Sequence, residues 1–115
     1  MRKIDVHYTL LLDYYGKLLP QKQYDIANLY YNDDLSLSEI AEQLGITRQG
    51  VRDGLERAES GLDKFEAALG LIERDKVTAD AVDTITKSVA KLRTGSDAEA
   101  LDAIEKACGT LALKG

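Results

Sequence analysis

The sequence predicts an all-α protein, and three observations carry that prediction. Apolar residues recur at alternating steps of three and four along nearly the whole chain, the period of an amphipathic helix, and no stretch alternates every second residue as a strand does. One proline and no tryptophan in 115 residues favour helix over a turn-rich β fold. Two Ser-x-x-Glu patterns, Ser36 to Glu39 and Ser96 to Glu99, read as capping boxes, in which two side chains satisfy backbone N–H groups at a helix start. The predicted architecture is a helical bundle with a helix-turn-helix, a long fourth helix and a C-terminal helical pair.

The first helix carries Ile4, Tyr8, Leu11, Tyr15 and Leu18, spaced 4-3-4-3, so all five share one side. It stops near Leu19, because Pro20 disfavours helical geometry in the residue before it. Pro20 then opens the second helix at its first position, a helix that buries some of Tyr24, Ala27, Tyr30 and their neighbours and ends at Asn32-Asp33-Asp34. The Ser36–Glu39 box starts a short third helix, which Gly45 closes in a left-handed cap. Thr47 caps the fourth.

Along that fourth helix Val51, Leu55, Ala58, Leu62, Phe65, Leu69 and Ile72 keep a strict 4-3 alternation, three heptads without a break. Gly50, Gly54, Gly61 and Gly70 each cost ~1 kcal/mol relative to alanine inside a helix. Gly50, Gly54, Ala58 and Gly61 nearly share a face, which implies close approach of another backbone: a neighbouring helix, or alternatively a nucleic-acid strand. Thr78 caps a fifth helix with Val82, Ile85, Val89 and Leu92 as its stripe. Gly95 ends it, and the Ser96–Glu99 box starts a sixth with Leu101, Ile104, Cys108 and Leu111 inward. Residues 1–72 are expected to form the helix-turn-helix domain. Residues 73–115 form a helical extension packed on it or on a dimer partner.

Composition excludes several classes. With 44% hydrophobic and 30% charged residues the chain is globular rather than disordered. Cys108 is the single cysteine, so no internal disulfide forms; it reads as an inert core residue in a reducing cytosol. No apolar stretch approaches the ~20 residues that span a bilayer. The opening MRKIDVHYTLLLDYY is interrupted by Asp5, His7 and Asp13 and lacks a cleavage site, so the expected location is cytoplasmic, with no membrane partner. His7 and Cys108 are too far apart to be a ligand pair, and His7 reads as a surface or packing residue. The carboxylates lack the His, Lys or nucleophile partners of a catalytic site, and no glycine-rich phosphate loop is present. Neither an enzyme nor a cofactor or metal is expected.

The stretch SLSEIAEQLGITRQGVRDGLERA, residues 36–58, meets the demands of a helix-turn-helix together. Ala41 is the small residue where the helices cross, and Gly45 turns the chain four residues later. Ile40, Leu44, Ile46, Val51 and Leu55 plug the angle between them. Thr47, Arg48, Gln49 and Arg52 leave a polar start to the second helix. Arginine matches guanine and glutamine matches adenine with paired hydrogen bonds, and Arg57, further along, reaches for a phosphate. Charge opposes this reading: residues 20–60 hold four cations against eight anions, and the whole chain is −5. Phosphate neutralisation supplies most non-specific affinity, so tight binding calls for a dimer or a helping partner.

Over residues 8–72 the chain resembles the YlxM family of small bacterial proteins. The likeness rests on Tyr30, Tyr31, Asp33 and Asp34, on Ser36 through Glu42, and on Arg48, Gln49, Val51, Asp53, Arg57 and Glu59. The same segment is similar, more loosely, to region 4 of sigma factors, which reads promoter DNA in the major groove. Gly50 and Gly54 depart from the family pattern, which has larger residues there. The resemblance implies a sigma-region-4-like DNA-binding regulator linked to the signal recognition particle and its protein-targeting pathway. On this reading Thr47 and Arg57 hold phosphates, while Arg48, Gln49 and Arg52 read bases. The alternative is an adaptor that contacts signal recognition particle proteins or RNA and has no DNA target. More apolar stripes than so short a chain can pair internally predict a homodimer.

Overall fold

The computed structural model describes residues 5–95 and 98–114. Among the described residues there are six α-helices, one 3-10 turn and no strand, so the all-α class holds. The chain divides into two compact units, Met1–Gly70 and Leu71–Gly115.

In the first unit α1 runs Val6–Tyr15, and the Asp5 carboxylate caps it by accepting from the Tyr8 N–H at 3.3 Å. Leu11 and Tyr15 are buried, as the spacing predicts; Ile4 lies outside the described residues. Leu18 does not join them. The chain tightens into a 3-10 turn at Gly16–Leu18, and at three residues per turn the helical phase is lost. Leu18 is therefore 56% exposed, and Leu19 takes the inward place. Pro20 sits at the N-cap rather than in the first turn, with φ −53° and ψ 143°, and α2 follows as Gln21–Tyr31. It buries Ile26 and Ala27 and leaves Tyr24 and Tyr30 half-buried.

Helix α3, Leu37–Leu44, opens with the complete capping box: Ser36 Oγ accepts from the Glu39 N–H, and Glu39 Oε1 accepts from the Ser36 N–H. Gly45 closes it at φ 68°, a left-handed conformation natural to glycine. The Ala41 carbonyl accepts from both Gly45 and Ile46 N–H groups, which ties the turn to the middle of α3. Helix α4 is Arg48–Leu69. Its face Val51, Leu55, Ala58 and Leu62 is buried against the rest of the unit. Together with Leu11, Tyr15, Ile26 and Ile40 these residues make the core. Each fully buried aliphatic side chain contributes ~1.5–3 kcal/mol of transfer free energy.

The expected three-heptad run is shorter than its spacing suggests. Phe65 is half-buried, Leu69 is 54% exposed, and Gly70 adopts φ 60° with its N–H on the Glu66 carbonyl. That left-handed residue ends α4, so Ile72 belongs to the next helix. Two glycines of the expected close-approach face of α4, Gly54 and Gly61, meet side chains of neighbouring elements. A Cβ on Gly54 would lie 2.5 Å from Ile26 Cδ1, and one on Gly61 would lie 3.1 Å from Leu19 Cδ2. A methyl at Gly54 would push Ile26 Cδ1 aside, and one at Gly61 would need Leu19 to give by a few tenths of an ångström.

The second unit is a helical hairpin of α5, Leu71–Thr94, and α6, Ala98–Lys114. Thr78 is an interior, exposed residue of α5 and not its cap, because Gly70 lets the new helix start at Leu71. The hairpin packs through its smallest residues, Ala81 and Ser88 on α5 and Ala100 and Ala107 on α6, which let two helix axes come close. The larger side chains are displaced to the flanks. Val82, Val89 and Leu101 are 40–51% exposed, and Cys108, expected in the core, is exposed as well. The proposed cap Ser96 lies outside the described residues.

Candidate nucleic-acid interface

Thr47 sits at φ −78° and ψ 156°, and its Oγ1 accepts from the Gly50 N–H at 3.0 Å. One lone pair of the hydroxyl is thus taken by the cap, and its proton remains to be donated outward. Arg48, Gln49, Arg52 and Arg57 are all exposed. Among the described residues the three arginines form no ion pair, so their guanidinium groups are available. Behind them Ile40 and Val51 are fully buried and Leu55 is 8% exposed, so the angle between α3 and α4 is held by packed side chains.

These residues do not share a single face. At 3.6 residues per turn Arg57 lies about 140° round α4 from Arg52. Gln49 and Asp53 occupy the outward centre, with Arg52 on one flank and Arg57 on the other. The Gln49 Nε2 donates to Asp53 Oδ1 at 2.9 Å. One amide proton is spoken for, and the second proton and Oε1 remain as the donor–acceptor pair that matches adenine. Asp53 was not singled out from the sequence as an interface residue, although a carboxylate four residues after a glutamine on a helix is within reach of it. Lys22 and Gln23 were also missed. They line a groove with Arg57, Gly50 and Gly54, and nothing local in the sequence joins residues 22 and 57.

The acidic surroundings are partly tied up. Three hydroxyls bond carboxylates along α4: Tyr31 to Glu59, Tyr8 to Asp63 at 2.9 Å, and Tyr15 to Glu66. His7, exposed, lies 3.5 Å from Asp63. The hydrogen bond to Asp63, with burial behind it, pushes the Tyr8 phenol up to about 12. Burial first, and then the Glu59 bond, raises Tyr31 as well. Glu39 moves the other way, held below the usual carboxylate range by the Ser36 backbone N–H it accepts from.

A crossed helix pair whose second member opens with a threonine cap and exposed Arg, Gln and Arg defines a helix-turn-helix protein. The chain belongs to the UPF0122 family, whose model carries the description "Putative helix-turn-helix protein, YlxM / p13 like" and matches residues 3–101. That match runs past Ile72 into α5 and α6. A UPF0122 protein of Thermoanaerobacter sp. (strain X514) is 48% identical over 99 residues, 85% of each chain. One from Desulforamulus reducens is 41% identical over 103 residues, 90% of this chain and 86% of its own. One from Halalkalibacterium halodurans is 35% identical over 99 residues, 83% of this chain and 91% of its own. Among the described residues, no helix is long and apolar enough to cross a membrane.

Proposed function

We propose that this protein is a DNA-binding regulator that acts in the cytoplasm as a homodimer, with the start of α4 in the major groove. Arg48, Gln49 and Arg52 read base edges, and Thr47 and Arg57 hold phosphates. The observation that supports this best is the first turns of α4: exposed, free of ion pairs and braced from behind by Ile40, Val51 and Leu55. The link to the signal recognition particle pathway rests on the YlxM resemblance. Competitive selection of duplexes by the purified protein, followed by titration of the winners, tests the reading. The Arg48→Ala, Gln49→Ala, Arg52→Ala triple variant should lose discrimination between selected and random duplexes, each base contact supplying ~1–3 kcal/mol. Equal affinity of wild type and triple variant on both would falsify it. The excess of carboxylates in residues 20–60 supports a second reading, an adaptor for particle proteins or RNA. Enrichment of structured RNA over any duplex in the same selection would favour that one.

A further inference from the structure

The groove beside α4 is the feature the base-reading residues leave unexplained. Its α4 wall is bare because Gly50 carries no side chain and Gly54 has only Ile26 against it. Lys22 and Arg57 look onto it from α2 and α4, both exposed and, among the described residues, without an ion pair. Gln23 adds an amide. The one anion in the lining, Asp53, already accepts from Gln49.

Two like charges facing one groove repel each other, and an anion between them turns that repulsion into attraction. A forked guanidinium and a compact ammonium together suit the oxygens of a phosphodiester. The place is also right. Arg57 lies five residues beyond Arg52 along α4 and on the opposite flank, past the first turns that would meet base edges, where the phosphates rim the groove. We propose that Lys22, with Gln23 beside it, completes a backbone-phosphate seat with Arg57, so that α2 as well as α4 grips the duplex. The seat rests on the DNA reading above. It fixes the register in which Arg48, Gln49 and Arg52 meet the bases and carries no sequence preference itself.

Duplex binding by the full chain, measured at several salt concentrations, tests it with three variants. Lys22→Ala should weaken selected and random duplexes by the same several-fold factor and flatten the salt dependence by roughly one unit. Lys22→Arg should restore the slope. Lys64→Ala removes the same charge from α4 about two turns beyond Arg57 and should leave the slope close to wild type. Helix content and melting temperature should be unchanged in all three, since each side chain is exposed. If wild type binds duplexes and Lys22→Ala and Lys64→Ala behave alike, the seat is wrong and the DNA reading stands. If wild type binds no duplex at any salt, the DNA reading falls and takes the seat with it.

Discussion

Tyr8 and Tyr31 keep their protons beyond the pH at which a free tyrosine gives them up, since burial and the hydrogen-bonded carboxylate both penalise the ionised phenol. A raised pKa in the folded state means stabilisation that is complete below the unfolded value of ~10. It is lost as pH rises through the folded value, about 12 for Tyr8. Ultraviolet titration should therefore show a late fraction of phenol ionisation that coincides with unfolding. In a Tyr8→Phe, Tyr31→Phe variant the late fraction should shrink; an unchanged late fraction would show that other tyrosines hold it. Glu39 has the opposite sign, so its contribution is present above about 4.5 and lost as pH falls below that value. The capping box was legible in the sequence because its partners are three residues apart. The Tyr8–Asp63 pair was not, because 55 residues separate its members and no local pattern joins them.

At the scale of elements, the contact between α2 and α4 makes a sharp test. Gly54→Ala gains helix propensity of ~1 kcal/mol but drives a methyl into Ile26, and overpacking costs ~1–3 kcal/mol. Ile26 is fully buried, so moving its Cδ1 aside disturbs the packing around it, and the substitution should lower the melting temperature. Adding Ile26→Val, which removes the offending Cδ1, should recover most of the loss. A stable single variant would mean that α2 and α4 sit further apart than described. Ile40→Ala or Leu55→Ala should each cost ~2–5 kcal/mol, because both fill the corner between α3 and α4. A melting point within a degree or two of wild type would contradict their placement. These core positions could be read from periodicity, as could Gly45, since a helix reports its buried face and its stop locally. Leu18 could not, because a 3-10 turn changes the phase in mid-stripe. Thr78 and Cys108 failed for related reasons: a left-handed Gly70 restarts the helix early, and the hairpin chooses its smallest residues for contact. Periodicity weighs hydrophobicity and is blind to how closely two axes approach.

For the molecule as a whole, exposed apolar surface supports association. Val6, Leu10, Tyr14 and Leu18 recur every four residues and are 36–71% exposed, and the hairpin exposes Val82, Val89 and Leu101. Such surface supports the proposed homodimer, and light scattering at tens of micromolar should give twice the 12.7 kDa chain mass. A monomer at that concentration would exclude it. The candidate interface was only half legible in the chain. Arg48, Gln49 and Arg52 announced themselves by following a cap, whereas Lys22 reaches the groove beside Arg57 only through the packing of α2 on α4.

The tyrosine row has one more consequence, and it is optical. With no tryptophan in the chain, near-ultraviolet absorption and fluorescence come from six tyrosines and one phenylalanine, and all of them lie between Tyr8 and Phe65. The hairpin carries no aromatic residue. Its melting is invisible at those wavelengths, while far-ultraviolet dichroism sees the helices of both units. A single sample heated once and followed in both windows would separate the two. Coincident curves would mean that the halves unfold as one cooperative body, and a dichroism loss that precedes the tyrosine signal would assign the first transition to α5 and α6.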